Sequence, residues 1–227
     1  MKLLALTLFK PGQAFSGIRS SSPWRMAILA VILAWGILFV LLQPYVINVT
    51  LSHLPPSADE TDRNAISEYL TQDLIARLIL VPIRIGGGIA VFAFVLQLLS
   101  KSLQPFSRIP FPTIFSLLVH AECVNMLAHV ATWISVATAP GASSGLSVPF
   151  SLAGMAGDNV DFQLHALLNS LNIFTLWYLM LVASGLVSLF EMKRWKAVAA
   201  VSIVWGLSQL VSIASLSFLR NTLHLLL

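Results

Sequence analysis

The sequence predicts an all-α fold, a polytopic bundle of five transmembrane helices, and three observations carry that expectation. Five stretches are continuously apolar over about the 20 residues that a helix needs to cross a bilayer. Only 10% of the chain is charged while 57% is hydrophobic, with mean hydropathy +0.87, too little polar surface for a soluble fold of this length. The basic residues fall in alternate loops. A β-barrel would alternate apolar and polar residues along each strand, and these runs do not.

Residues 1–23 open the chain with the apolar run Leu3–Phe9, then Lys10, Pro11 and Gly12. No small-residue cleavage site follows, so the segment is expected to lie at the cytoplasmic interface rather than to act as a cleaved signal. Residues 24–227 are expected to form one transmembrane domain, with spans near 24–46, 78–99, 113–138, 171–190 and 197–219. Helices are expected because a lipid-exposed segment must satisfy its own backbone. Between the first two spans, Pro55-Pro56 precedes Ser57-Ala58-Asp59-Glu60, a capping-box pattern. Ile66, Tyr69, Leu70 and Leu74 then recur at helical spacing. This predicts an amphipathic helix that lies on the outer surface or leads into the second span. The loop at residues 140–158 is rich in Gly, Ser and Pro and is expected to be irregular. No internal repeat or separate soluble domain is visible.

Lys2, Lys10, Arg19 and Arg25 precede or open the first span, Lys101 and Arg108 lie after the second, and Lys193, Arg194 and Lys196 after the fourth. The other loops hold Arg63, Arg77 and Arg220. Nine bases against three, in strict alternation, predict a cytoplasmic N-terminus and an outside C-terminus. Trp24, Trp177 and Trp195 fall near the expected interfaces, where aromatic belts form.

Ionisable groups within spans are costly and each needs a reason. Arg84 in the second span and Glu122 in the third stand out, with His120, Asn125 and His129 beside Glu122. Glu122, Asn125 and His129 fall at i, i+3 and i+7 and share a helix face; His120 and Cys123 lie on an adjacent one. The cluster suits a carboxylate that binds a proton, a cation or a polar ligand. It equally suits a polar packing cluster in which Glu122 is protonated or paired with Arg84 or a histidine. Glu122 and His129 fall short of a metal-ligand set, and no metal or cofactor is expected. Pro82 and Gly86-Gly87-Gly88 flank Arg84, a pattern that suits a hinge or close helix packing.

Ser202, Gly206, Gln209 and Ser212 form one small, polar stripe on the fifth span, of the kind that marks helix–helix contact. Asn169, Asn172 and Thr175 at spacing three are expected to tie helix ends together. Catalytic motifs are poor. Gly141-Ala142-Ser143-Ser144-Gly145 lies in a loop rather than on a strand-to-helix turn. The lone Cys123 excludes cysteine-based zinc, haem and redox-pair patterns. Phosphate-loop and HExxH motifs are absent, and the bases form no patch with aromatics for nucleic acid. An intramembrane enzyme built on His120, Glu122, His129 or Ser144 is therefore not expected.

Phe9-Lys10-Pro11-Gly12-Gln13-Ala14-Phe15 with Ile18, the run Asn172-Ile173-Phe174-Thr175-Leu176-Trp177 with the later Gly185, and the basic turn at Lys193, Arg194 and Lys196 together resemble the Yip family, the Ypt/Rab-interacting membrane proteins, in its compact bacterial form. The resemblance runs over essentially the whole chain. It implies a non-enzymatic protein of the bacterial inner membrane that binds protein partners or organises the bilayer, with Gly185 among the helix-packing positions. Family members in eukaryotes bind Rab-type GTPases and carry a long cytosolic N-terminal region. Here only residues 1–23 precede the first span, so Rab-type binding is not expected. The rival expectation from the residues themselves is a transporter or channel for a small ion or polar solute, using Glu122, His129 and Arg84.

Overall fold

The computed structural model describes residues 2–21, 24–52, 59–104, 110–138, 148–156 and 161–224. Two short helices, α1 (Lys2–Phe9) and α2 (Pro11–Ser21), precede the long helices α3 (Trp24–Ser52), α4 (Glu60–Leu103) and α5 (Phe111–Thr138). The short α6 (Ala153–Ala156) and α7 (Phe162–Ser170) then lead to α8 (Ile173–Phe190) and α9 (Arg194–His224). Five helices are long and apolar enough to cross a membrane: Trp24–Asn48, Leu78–Leu103, Phe111–Thr138, Ile173–Phe190 and Arg194–Ser215.

The central element is α5, which touches α1, α2, α3, α4 and α8. Over the apolar 18-residue core of its span 56% of residues are buried, against 11% over that of α4. Ile114, Leu117, Leu118, Ala121 and Val124 are fully enclosed. From α8, Val182, Leu186 and Leu189 face them at helical spacing. Gly185 permits the close approach, since a Cβ there would overlap the Leu117 side chain. In lipid such contact rests on van der Waals fit rather than on expulsion of water.

The outer helices are apolar all round yet use one face inward. On α3, Ala27, Val31 and Leu38 are buried, while Met26, Leu29, Leu33 and Ile37 are exposed. On α4, Ile89, Ala93 and Leu96 are buried, while Ile83, Val91, Phe94 and Leu98 are exposed. Exposed apolar stripes of this kind suit hydrocarbon.

Three features refine these expectations. First, the helix after the first span leads straight into the second, one of its two expected placements: α4 is continuous for 44 residues through Pro82. That is about 66 Å at 1.5 Å per residue, twice the hydrocarbon thickness of about 30 Å. Its first turn is capped at Asp59 rather than at Ser57, which lies outside the described residues. The Asp59 carboxylate accepts from Asp62 N–H at 2.8 Å, and the Asp62 carboxylate accepts from Asp59 N–H at 3.4 Å. A carboxylate accepts at this position as readily as a hydroxyl. Gln43 Nε2 donates to the Leu70 carbonyl at 2.9 Å and joins this extension to α3.

Second, the glycine-rich loop is not irregular over its described part, residues 148–156. Val148 N–H donates to Asn169 Oδ1 at 2.8 Å, and Ser151 bridges to Asn172. Ser144 and the rest of residues 139–147 lie outside the described residues. Third, residues 2–21 form a helical hairpin docked on α5 and α8. Ala14, Phe15 and Ile18 are buried, and Gly17 lets Leu3 close over it. Arg19 lies 3.8 Å from Glu191 at the end of α8, both exposed.

Candidate functional site

Glu122 sits on the innermost helix and is only 8% exposed. Its carboxylate accepts two hydrogen bonds. Asn125, one turn along α5, donates Nδ2 to Oε2 at 3.0 Å. Trp35 on α3 donates Nε1 to Oε1 at 3.3 Å. Both donors are neutral, and among the described residues no Lys or Arg pairs with Glu122.

The carboxylate borders a cavity of about 340 Å³ between α4, α5, α8 and α9. Arg84, Glu122 and Asn125, three of the five predicted polar residues, line it together. Sequence reading did not identify Tyr178, Trp205 or Ser208 as parts of the site, and all three line the same space. Their signal was available in part: a tyrosine hydroxyl and an indole N–H in the middle of apolar spans need partners. Phe92 and Tyr178 meet edge-on across the cavity wall, with centroids 6.4 Å apart.

The two histidines go elsewhere. His120 is buried, and its Nδ1 meets the Ser116 carbonyl at 2.7 Å. A carbonyl can only accept, so Nδ1 carries the proton. His129 stacks edge-on against Trp35 at 4.2 Å. It shares Glu122's face yet lies seven residues further along, about 10 Å on the helix rise, and Trp35 of α3 touches both groups, donating to Glu122 and stacking on His129. Cys123 faces α1, its Sγ 3.7 Å from the Leu4 carbonyl and 2.8 Å from the His120 carbonyl. No cluster of three or more His, Cys, Asp or Glu suited to a metal occurs among the described residues.

The packing candidates fall in two groups. Asn172 caps α8, its Oδ1 accepting from Thr175 N–H at 2.9 Å while its Nδ2 donates to the Asn169 carbonyl at 3.0 Å. Gly185 meets Leu117. On α9, Gln209 lines the cavity, Ser202 and Ser212 are exposed, and a Cβ on Gly206 would meet nothing within 4 Å.

Neither a curated protein nor a solved structure matches the chain. Residues 5–216, nearly the whole chain from the docked hairpin through α9, match the family model described as the Yip1 domain. With five helices long and apolar enough to span a bilayer, the chain belongs to the Yip1-domain family of polytopic membrane proteins.

Proposed function

We propose that the chain is a non-enzymatic membrane protein that binds a protein partner, or a second copy of itself, within the bilayer. The observation behind this reading is the Gly86-Gly87-Gly88 run on α4. A Cβ at any of the three would meet nothing within 4 Å. Each glycine in a helix interior costs about 1 kcal/mol against alanine, and close approach of another helix is the usual return on that cost in membranes. The span that carries them is the least covered of the five.

A photo-crosslinking residue at Gly87, in intact native membranes, tests this. It should yield one discrete adduct, lost in the presence of Gly86→Leu, while a probe at the exposed Val198 on α9 yields none. Equal, diffuse adducts from both positions would remove the reading.

The basic loops support an orientation with the N-terminus in the cytoplasm and the C-terminus outside, and the resemblance to the compact bacterial form supports a bacterial inner membrane. A C-terminal alkaline phosphatase fusion should then be active, and a fluorescent-protein fusion at the same point dark. The opposite pattern would reverse the topology.

A further inference from the structure

The cavity around Glu122 has two chemically different ends. Lys196 Nζ donates to the Leu103 carbonyl, so the start of α9 lies beside the end of α4, and levels along the four helices can be compared. Phe92, Glu122, Tyr178 and Trp205 are the lining residues nearer that end on their helices. Arg84, Thr175 and Gln209 are those further from it, while Asn125 stays with Glu122 through its hydrogen bond. On α4 alone the separation from Phe92 to Arg84 is eight residues, about 12 Å.

At the inner end a buried carboxylate accepts from two neutral donors and meets no cation among the described residues. A carboxylate offers about four acceptor sites, and a buried charge is expensive unless it is paired. Three aromatic rings line the same end. Carboxylate plus aromatic faces is the chemistry that holds an ammonium group. At the outer end Arg84 carries the opposite charge, and the Gln209 amide and Thr175 hydroxyl line the same space. Guanidinium is suited to bidentate capture of phosphate or carboxylate.

We propose that this cavity binds a zwitterion, its ammonium held by Glu122 and the aromatic rings and its anionic group held by Arg84. The size fits a small headgroup and not a folded partner. An ammonium–phosphate ligand could arrive as a phospholipid headgroup or as a free solute, and the site chemistry is the same for both. Gly88 lines this cavity while Gly86 and Gly87 do not, so the proposal does not rest on the partner surface at Gly87.

The test uses the purified full chain in two arms. One arm measures retention of phosphatidylethanolamine against phosphatidylglycerol by native mass spectrometry. The other measures binding of O-phosphoethanolamine by calorimetry. Two variants accompany the wild type. Glu122→Gln keeps the shape and removes the charge. Gly88→Leu fills the cavity from α4, where a Cβ meets nothing within 4 Å, and leaves both charged groups in place. Loss of a charge-assisted contact should weaken binding about tenfold or more.

Binding in the lipid arm, weakened by both variants and selective over phosphatidylglycerol, supports a headgroup site. Binding only of O-phosphoethanolamine, weakened likewise, supports a solute site. No binding in either arm, equal retention of phosphatidylglycerol, or wild-type binding by both variants overturns the proposal. Should Glu122→Gln fail to give monodisperse protein, Gly88→Leu decides alone.

Discussion

At the residue scale, single polar atoms fix where helices begin and which faces meet. Asn172 makes two bonds at once, capping α8 and tying back to Asn169, and it is buried. Asn172→Ala should therefore cost more than an exposed cap, about 2 kcal/mol where caps average about 1. Thermal unfolding in detergent reads this, and a loss no larger than that of the exposed cap Asp59→Ala would contradict it. Glu191 poses a different problem. It ends α8 in the left-handed region, φ 55°, where a side chain is penalised and glycine is not. Among the described residues its ion-pair partner is Arg19, an exposed contact at 3.8 Å worth little. Glu191→Gly should raise stability by up to about 1 kcal/mol, and a lower unfolding temperature would contradict that account.

At the element scale, the Gly185–Leu117 contact decides how close α8 approaches α5. Leu117 is fully buried, so it has little room to yield. Gly185→Ala should cost about 1–3 kcal/mol through overpacking. Leu117→Ala alone should cost about 2–5 kcal/mol through the cavity it leaves. Because the added methyl would occupy part of the space that Leu117 vacates, the double variant should lose less than the two losses added together. Strict additivity would show that the helices do not meet there as described. The same contact shows the reach of sequence reading. Hydropathy was enough to locate five spans, because lipid demands the same apolar character from every one. It could not orient them, because α3 and α4 are apolar on both faces. Which residue meets which neighbour depends on fit, and fit leaves no periodic trace. The i, i+3 relation of Glu122 and Asn125 was legible within one helix. The arrival of Arg84, Tyr178 and Trp205 at the same cavity depends on register between helices.

At the scale of the whole molecule, the unexpected feature is that residues 2–21 belong to the bundle. A short apolar run beside a proline suggested an interfacial segment, and nothing in that pattern names α5 as its neighbour. The docking follows from small residues: Gly17 lets α1 fold back onto α2 through Leu3, and the hairpin then covers the Cys123 face of α5. This arrangement makes the lone thiol a reporter. Gly17→Leu places a side chain where Leu3 now packs, with a Cβ only 2.7 Å from Leu3 Cδ2. It should push α1 away at a cost of about 1–3 kcal/mol. A small, membrane-permeant maleimide should then alkylate Cys123 several times faster than in the wild type, and deletion of residues 2–9 should give the same increase. Deletion tests the covering role of α1 without a new side chain, while Gly17→Leu tests it at full length. If both leave the labelling rate unchanged, α1 does not shield Cys123, and the hairpin is not part of the packed bundle.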